Sequence, residues 1–153
     1  MNIQQLRYVV AIANSGTVFD LSLLDKITDS EGNLIQDFTP EATGHVDIAD
    51  STWDAVHQGM RAVITDGSVN KIFKDLEVEI AGKTGTAERA DENGGYLKEN
   101  YMSSFMGFAP AQSPKVLCYI TLDGTPSGSD AAAVPFQSIM ANALDVLGIP
   151  HTK

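Results

Sequence analysis

Cysteine is nearly absent from this sequence of 153 residues, in which Cys118 is the only one. A single cysteine excludes an intrachain disulfide and a zinc site built from paired cysteines. Because Cys118 lies in the apolar run "KVLCYITL", we expect it to be a buried core thiol. The histidines His45, His57 and His151 are far apart in the sequence, and their spacing predicts no metal site.

Basic residues and long apolar runs are also scarce. Ten Lys and Arg stand against twenty Asp and Glu, which gives a net charge of −10 and argues against nucleic acid or an anionic membrane as the main partner. No apolar run approaches the ~18 residues of a membrane span, and the first residues lack the basic start and cleavage site of a signal peptide. The length and the 43% apolar content predict one globular domain.

Three segments carry apolar residues at helical spacing and predict amphipathic helices. The first spans residues 2–14 and ends at Asn14-Ser15-Gly16, the second is capped by Asp50 or Ser51 and ends before Gly67, and the third ends at Gly148. The residues expected to face the core are Leu6, Val9, Val10 and Ala13; Trp53, Val56, Met60 and Val63; and Phe136, Ile139, Met140, Ala143 and Leu147.

Strands are predicted between these helices. The stretch "TVFDLSLLDKITDSEGNLIQDF" indicates two short strands around a turn at Glu31-Gly32-Asn33, whereas residues 39–49 have turn chemistry only. Three later strands are expected at "LEVEIAG", with Leu76, Val78 and Ile80 facing a core, at "MSSFMGFAP", and at "KVLCYITL", whose nearly continuous apolar run indicates a central strand buried on both faces. Connections this short allow only an antiparallel meander, so we expect an α+β fold.

The stretch "EIAGKTGTAE" places Lys83 between two glycines at the end of a predicted strand. One interpretation is a phosphate-binding loop. That motif requires a glycine five residues before Gly82, where this sequence has Glu77, and it requires a helix directly afterwards, which "GTAERADENGG" does not favour. The other interpretation is the Lys-Thr-Gly box of the penicillin-recognising enzymes. Three residues alone are weak evidence for it.

The surrounding sequence strengthens the second interpretation. Five segments, in this order and over nearly the whole chain, resemble the transpeptidase domain of class B penicillin-binding proteins. They are "MNIQQLRYVVAIANSGTV", "STWDAVHQGMRAVI", "IAGKTGTAE", "SSFMGFAPAQSPKVLCYITLD" and "AAAVPFQSIMANALDVLGIP". The chain departs from the family's pattern in having "SGSDAAA" where a Gly-Gly pair precedes the last helix, and the resemblance assigns no role to this loop.

The resemblance implies a function in peptidoglycan cross-linking. A serine attacks a D-Ala-D-Ala stem peptide, and β-lactams trap the same serine as an acyl-enzyme. By the same resemblance, Lys83 attracts the substrate carboxylate, Thr84 and Thr86 offer it hydroxyls, and the backbone N–H of Thr86 faces the oxyanion. Gly85, without a side chain, would let the substrate lie against the strand. The chemistry needs no cofactor.

The family's other two boxes, Ser-x-x-Lys and Ser-x-Asn, are not convincingly present. The only match is Ser68-Val69-Asn70-Lys71, which spells both boxes with one serine, and we interpret it as a chance match. The resemblance therefore implies that residues 1–153 are the C-terminal portion of a transpeptidase domain and are inactive alone. The parent protein would provide the N-terminal part of the domain and a helical anchor, at the extracytoplasmic face of the bacterial membrane.

The alternative is a non-catalytic binding module of transpeptidase-like fold, which would dock a partner or form a homodimer through exposed apolar surface. Among single residues, Trp53 is expected in the core and not as a stacking platform. The loop Asp91-Glu92-Asn93 is expected to be solvated and not a calcium site. Tyr96 and Tyr101 flank the loop after the box, and whether they line a substrate groove is left open.

Overall fold

The computed structural model describes residues 3–128 and 130–150 and has an α+β fold. The chain divides into two units, Met1–Trp53 and Asp54–Lys153. The predicted helix start at residue 2 and the histidine at 151 lie outside the described residues. The elements in chain order are α1 (Ile3–Ala13), β1 (Thr17–Phe19), β2 (Lys26–Thr28), β3 (Leu34–Asp37), β4 (Ala42–His45), α2 (Asp50–Thr65), α3 (Asn70–Phe73), β5 (Ala81–Ala90), β6 (Tyr96–Ala109), β7 (Val116–Thr125) and α4 (Ala133–Val146).

The first helix ends where its sequence predicts. Val9 and Ala13 are buried on α1. The N–H of Gly16 donates to the carbonyl of Ala11 at 2.7 Å, and Gly16 has a φ of +102°, which an L side chain rarely adopts. The chain then passes directly into β1.

The first unit contains more strand than predicted. The expected hairpin forms from β2 and β3, which pair antiparallel, and the Asp29 carboxylate closes its turn by accepting the N–H groups of Glu31 and Asn33. Hydrogen bonding by the Asn33 side chain is the main cause that lowers the pKa of Asp29. The prediction that residues 39–49 form only turns was wrong, since β4 pairs antiparallel with β1. All four residues of β4 are exposed, so no apolar alternation marks them as a strand.

Helix α2 begins at Asp50, one of the two residues predicted to cap it, and buries part of the expected stripe. Trp53 and Met60 are each 8% exposed, which confirms Trp53 as a buried side chain, whereas Val56 is exposed. The helix ends at Thr65, and the N–H of Gly67 donates to the carbonyl of Ala62 at 3.1 Å.

The second unit is built on the predicted antiparallel meander. Its three strands lie in the order β5-β6-β7, so β6 is the middle strand. The prediction that "KVLCYITL" is central and buried on both faces was wrong, because β7 lies at the edge of this sheet and its residues Val116–Ile120 are half-buried. Cys118 is half-buried among residues packed against the core, and burial raises the pKa of its thiol.

The apolar residues of "LEVEIAG" are buried as predicted, but only its last two residues, Ala81 and Gly82, belong to a strand. Leu76, Val78 and Ile80 are at most 8% exposed, yet the ladder of β5 begins only at Ala81, which pairs with Phe108. Continuing this register would set Pro110 against the preceding residues, and proline has no N–H for the ladder. Residues 76–80 therefore contribute buried side chains to the core without taking part in the strand ladder.

Helix α4 packs on one face of the sheet. Phe136 and Met140 are buried as predicted, but the buried side of the helix also contains Ala133 and Leu144, which were not predicted to face the core. Its buried residues are Ala133, Phe136, Met140 and Leu144, whereas Ile139 and Leu147 are exposed. The ring of Phe136 packs against Phe105 of β6 with centroids 4.6 Å apart and against Phe73 of α3 at 5.9 Å. This aromatic cluster joins α3, α4 and the sheet.

No helix in residues 3–128 and 130–150 combines the length and the apolarity that crossing a bilayer requires.

Candidate functional site

The residues of the predicted Lys-Thr-Gly box lie in the first half of β5, an outer strand of the three-stranded sheet. Within the described part of the chain, the sheet pairs β5 only with β6. The outer edge of β5 can therefore pair its backbone groups with an extended peptide, as in strand addition.

Side chains of the box alternate between the two faces of the sheet. Thr84 stands opposite Phe105, whereas Lys83 stands opposite Met106. Directly opposite residues share a face. Because Phe105 packs on Phe136 of α4, Thr84 lies on the α4 face and Lys83 lies on the other.

The ammonium group of Lys83 is exposed at the strand. Its Nζ donates to the carbonyl oxygen of Thr84 at 2.7 Å, which holds the charge close to the backbone of β5. Thr84 is half-buried and Thr86 is exposed. Both lie on the α4 face of β5, opposite to the side chain of Lys83. One cation with two hydroxyls is a set of groups that suits a carboxylate.

Gly85 has a close neighbour that the sequence pattern did not indicate. A Cβ atom at this position would lie 2.5 Å from Oγ of Ser104, the residue directly opposite on β6. The same hydroxyl donates to the carbonyl oxygen of Gly85 at 3.4 Å. Close approach of Ser104 therefore explains the glycine, and the expected role of Gly85 in admitting a substrate stays a prediction.

The beginning of β5 is held by a charged contact with α2. Nη2 of Arg61 lies 2.8 Å from Oε1 of Glu79, and Nη1 donates to the carbonyl oxygen of Ile80 at 3.2 Å. The amide of Gln112 donates to the other carboxylate oxygen of Glu79. This contact ties the segment directly before the box to two other parts of the second unit.

We expect Arg61→Met to lower the free energy of unfolding by ~1–3 kcal/mol, because the half-buried Glu79 carboxylate and the Ile80 carbonyl both lose a donor. Urea titration measures the change, and a double-mutant cycle with Glu79→Gln isolates the pair. Arg89→Met is the matched control, since Arg89 and Asp123 form a more exposed pair at 3.3 Å that should contribute at most ~0.5 kcal/mol. Equal losses in the two variants would contradict the assignment.

A phosphate-binding loop is excluded by the course of the backbone. The strand continues from the box to Ala90 and turns through residues 91–95 into β6. In the described residues the chain continues from Lys83 as strand and not as helix, so the helix N-terminus that such a loop needs does not follow the box.

The residues outside the box are arranged as follows. Ser68 is exposed and its hydroxyl donates to the Asp130 carboxylate at 2.9 Å, while Lys71 belongs to the short helix α3. Tyr96 is 66% exposed and Tyr101 is half-buried.

The Asp91 loop is a solvated turn in which the Asp91 carboxylate accepts the backbone N–H of Asn93 at 2.8 Å. Among residues 3–128 and 130–150, no three His, Cys, Asp or Glu side chains form a group that could hold a metal ion.

Comparison with known protein families identifies the family of this chain. The family described as penicillin binding protein transpeptidase domain matches residues 2–141 of the 153. The chain belongs to the penicillin-binding protein transpeptidase family. The resemblance inferred from the five sequence segments is confirmed.

Two curated members of the penicillin-binding protein transpeptidase family match almost the whole chain. Stage V sporulation protein D of Bacillus subtilis (strain 168) is 30% identical over 159 residues, covering 99% of this chain and 24% of that protein. The probable peptidoglycan D,D-transpeptidase PenA of Neisseria gonorrhoeae is 29% identical over 155 residues, with the same two coverages of 99% and 24%. The chain thus spans about a quarter of the length of these relatives.

Solved structures show that the fold is that of the family. The apo transpeptidase domain of Burkholderia pseudomallei penicillin-binding protein 3 matches 98% of this chain with a TM-score of 0.76 and 22% identity, and the match covers 43% of that chain. The D,D-transpeptidase domain of a peptidoglycan glycosyltransferase from Eggerthella lenta matches 94% with a TM-score of 0.75 and 24% identity, covering 32% of that chain.

Proposed function

We propose that this chain provides the Lys-Thr-Gly strand of a peptidoglycan D,D-transpeptidase, which binds the carboxylate end of a stem peptide. The observation that carries the proposal is the presence of Lys83, Thr84, Gly85 and Thr86 on the outer strand β5 of a chain that belongs to this family. A relative carries the description of a probable peptidoglycan D,D-transpeptidase.

The chemistry of the strand suits a peptide that ends in D-Ala-D-Ala. The peptide backbone pairs with the outer edge of β5, and its terminal carboxylate meets the ammonium of Lys83 and the hydroxyls of Thr84 and Thr86. The backbone N–H of Thr86 stabilises the oxyanion that forms when the carbonyl is attacked. A β-lactam, which presents a carboxylate and a reactive carbonyl in the same relation, binds in the same way.

The nucleophile, in this proposal, belongs to a different part of the parent protein. Residues 1–153 form the C-terminal portion of a transpeptidase domain, and the remaining portion supplies the Ser-x-x-Lys and Ser-x-Asn boxes. The hydroxyl of Ser68 supports this division, because it donates to the Asp130 carboxylate at 2.9 Å, whereas the serine of a Ser-x-x-Lys box works with the lysine of that box. The parent acts at the extracytoplasmic face of the cell membrane.

The proposal predicts that the chain alone forms no covalent adduct with penicillin. After incubation with labelled benzylpenicillin, intact-mass spectrometry should show only the unmodified mass of the 153-residue chain. Ser68→Ala serves as the control, since it should behave identically. A stoichiometric adduct that disappears in Ser68→Ala would overturn the division and would make the chain a self-sufficient penicillin-binding domain.

A non-catalytic interaction module is the second candidate, favoured by exposed apolar side chains on α4. Val134, Ile139 and Val146 are 55%, 50% and 86% exposed, and Ile139 and Val146, which are seven residues apart, lie on one face of the helix that suits contact with another chain. Multi-angle light scattering over a range of concentrations tests for a homodimer. If the measured mass stays that of a monomer and the chain binds a D-Ala-D-Ala dipeptide, the results support the carboxylate-binding strand of a transpeptidase and argue against the interaction module.

A further inference from the structure

The connector between β7 and α4 is fastened at both ends to β6. At its start, the hydroxyl of Thr125 donates to the carbonyl oxygen of Tyr101 at 3.2 Å. At its end, the backbone N–H of Ala132 donates to Oγ of Ser103 at 3.3 Å. Ser103 is fully buried, so this hydroxyl is a fixed point and not a solvated contact.

Between these two points, the connector comes into contact with the box. A Cβ atom on Gly128 would lie 2.6 Å from Cγ2 of Thr86 and 3.1 Å from its Oγ1. The φ of Gly128 is outside the left-handed region, so the backbone itself would accept an L residue. What excludes a side chain at position 128 is the side chain of Thr86.

The connector cannot easily move away from Thr86. Ser103, which anchors Ala132, stands directly opposite Thr86 in the β5-β6 ladder. Asp130 is held from another side, since it accepts the hydroxyl of Ser68 at 2.9 Å. A side chain added at Gly128 would therefore push on the side chain of Thr86, which would respond by rotating about its χ1 torsion.

We propose that Gly128 is a positioning residue for the box: because it has no side chain, it leaves Thr86 in the conformation that directs its hydroxyl towards the edge of β5. The inference rests on the proposed function in one respect, that the hydroxyl of Thr86 meets a ligand carboxylate. Gly128, which is remote from the box in the sequence, would then also influence how tightly the box binds a carboxylate. The inference also gives the Ser68–Asp130 contact a role, which is to brace the connector.

The test compares Gly128→Ala in two backgrounds. The probe is N-acetyl-D-Ala-D-Ala, titrated into the isotopically labelled 153-residue chain and followed by NMR. We expect G128A to weaken binding about tenfold, which corresponds to ~1.4 kcal/mol. In the T86S background, which removes Cγ2 and keeps the hydroxyl, G128A should change binding by less than about twofold, because the closest contact at 2.6 Å is gone.

Two further measurements separate positioning from a general loss of structure. The three-bond couplings of Thr86 report its χ1 torsion, which should change in G128A, while the thermal melting temperature should stay within about 2 °C. Gly59→Ala is the control, since a Cβ atom there has no neighbour within 4 Å and the residue lies on α2, away from the box. It should leave both the couplings and the binding as they are.

The outcomes are distinguishable. An unchanged Thr86 χ1 torsion in G128A, or an equal loss of binding in the T86S background, overturns the positioning role of Gly128. If the wild-type chain does not bind the dipeptide at all, the proposed carboxylate site fails. The coupling measurement then still decides whether Gly128 sets the orientation of Thr86.

Discussion

Replacing Lys83 with methionine is expected to weaken binding of N-acetyl-D-Ala-D-Ala to this chain roughly 10- to 100-fold. A hydrogen bond to a charged group contributes ~1.5–3 kcal/mol, and the ammonium of Lys83 is the cation of the box. Methionine keeps the unbranched chain of lysine up to Cε and removes the ammonium group with its charge and donors. The dissociation constant, measured by NMR titration at low and at high salt, should show a difference from wild type that shrinks as salt screens the exposed charge.

The matched control for this variant is Lys74→Met. Lys74 is exposed, follows α3, and lies outside β5, so its replacement removes the same unit of charge from a different place. It should change the dissociation constant by less than about twofold. If both variants weaken binding equally, the net charge of −10 repels the ligand at long range, and Lys83 makes no direct contact with the carboxylate.

The variant Phe136→Ala is expected to lower the free energy of unfolding by about 3–5 kcal/mol. Phe136 is fully buried, and its ring packs on Phe105 and Phe73 at centroid distances of 4.6 and 5.9 Å. Truncation leaves a cavity where α4, α3 and the sheet meet. Domains of this size are stable by about 5–15 kcal/mol in total, so the loss is a large part of the stability. Urea unfolding followed by far-ultraviolet circular dichroism measures it.

Val134→Ala provides the comparison on the same helix. Val134 is 55% exposed on α4, so its truncation should change the stability by no more than ~0.5 kcal/mol. A loss below about 1 kcal/mol for Phe136→Ala would contradict the aromatic cluster as the centre of the core. A large loss for Val134→Ala would indicate that the outer face of α4 is covered by another chain.

Local patterns in the sequence predicted most elements of the fold correctly. Helical spacing located α1, α2 and α4, and the short connections among the last strands predicted the antiparallel meander that the sheet forms. These features depend on neighbours a few residues apart, which is the range over which spacing and turn residues carry information. The motif around Lys83, with its flanking segments, was sufficient for the family, which the comparison then confirmed.

The errors occurred where pairing or burial depends on residues remote in sequence. Strand β4 has only exposed residues and exists because β1, far back in the chain, pairs with it. The apolar run in β7 was interpreted as a central strand, although the middle strand of a three-stranded meander is the second one, which is β6. A run of apolar residues reports burial, and strand order comes from the connections.

For the site, the chemical groups of β5 can be read directly from the sequence: one cation, two hydroxyls and a glycine in four consecutive residues, in a chain whose segments follow the family's order. The contacts that hold those groups in position are visible only in the folded chain. Ser104 packs closely against Gly85, Arg61 forms an ion pair with Glu79, and Gly128 is next to the side chain of Thr86. Each of these contacts joins residues at least 18 positions apart in the sequence. No local pattern marks such pairs, because small and polar residues at these positions acquire their role only when the strands and the connector come together.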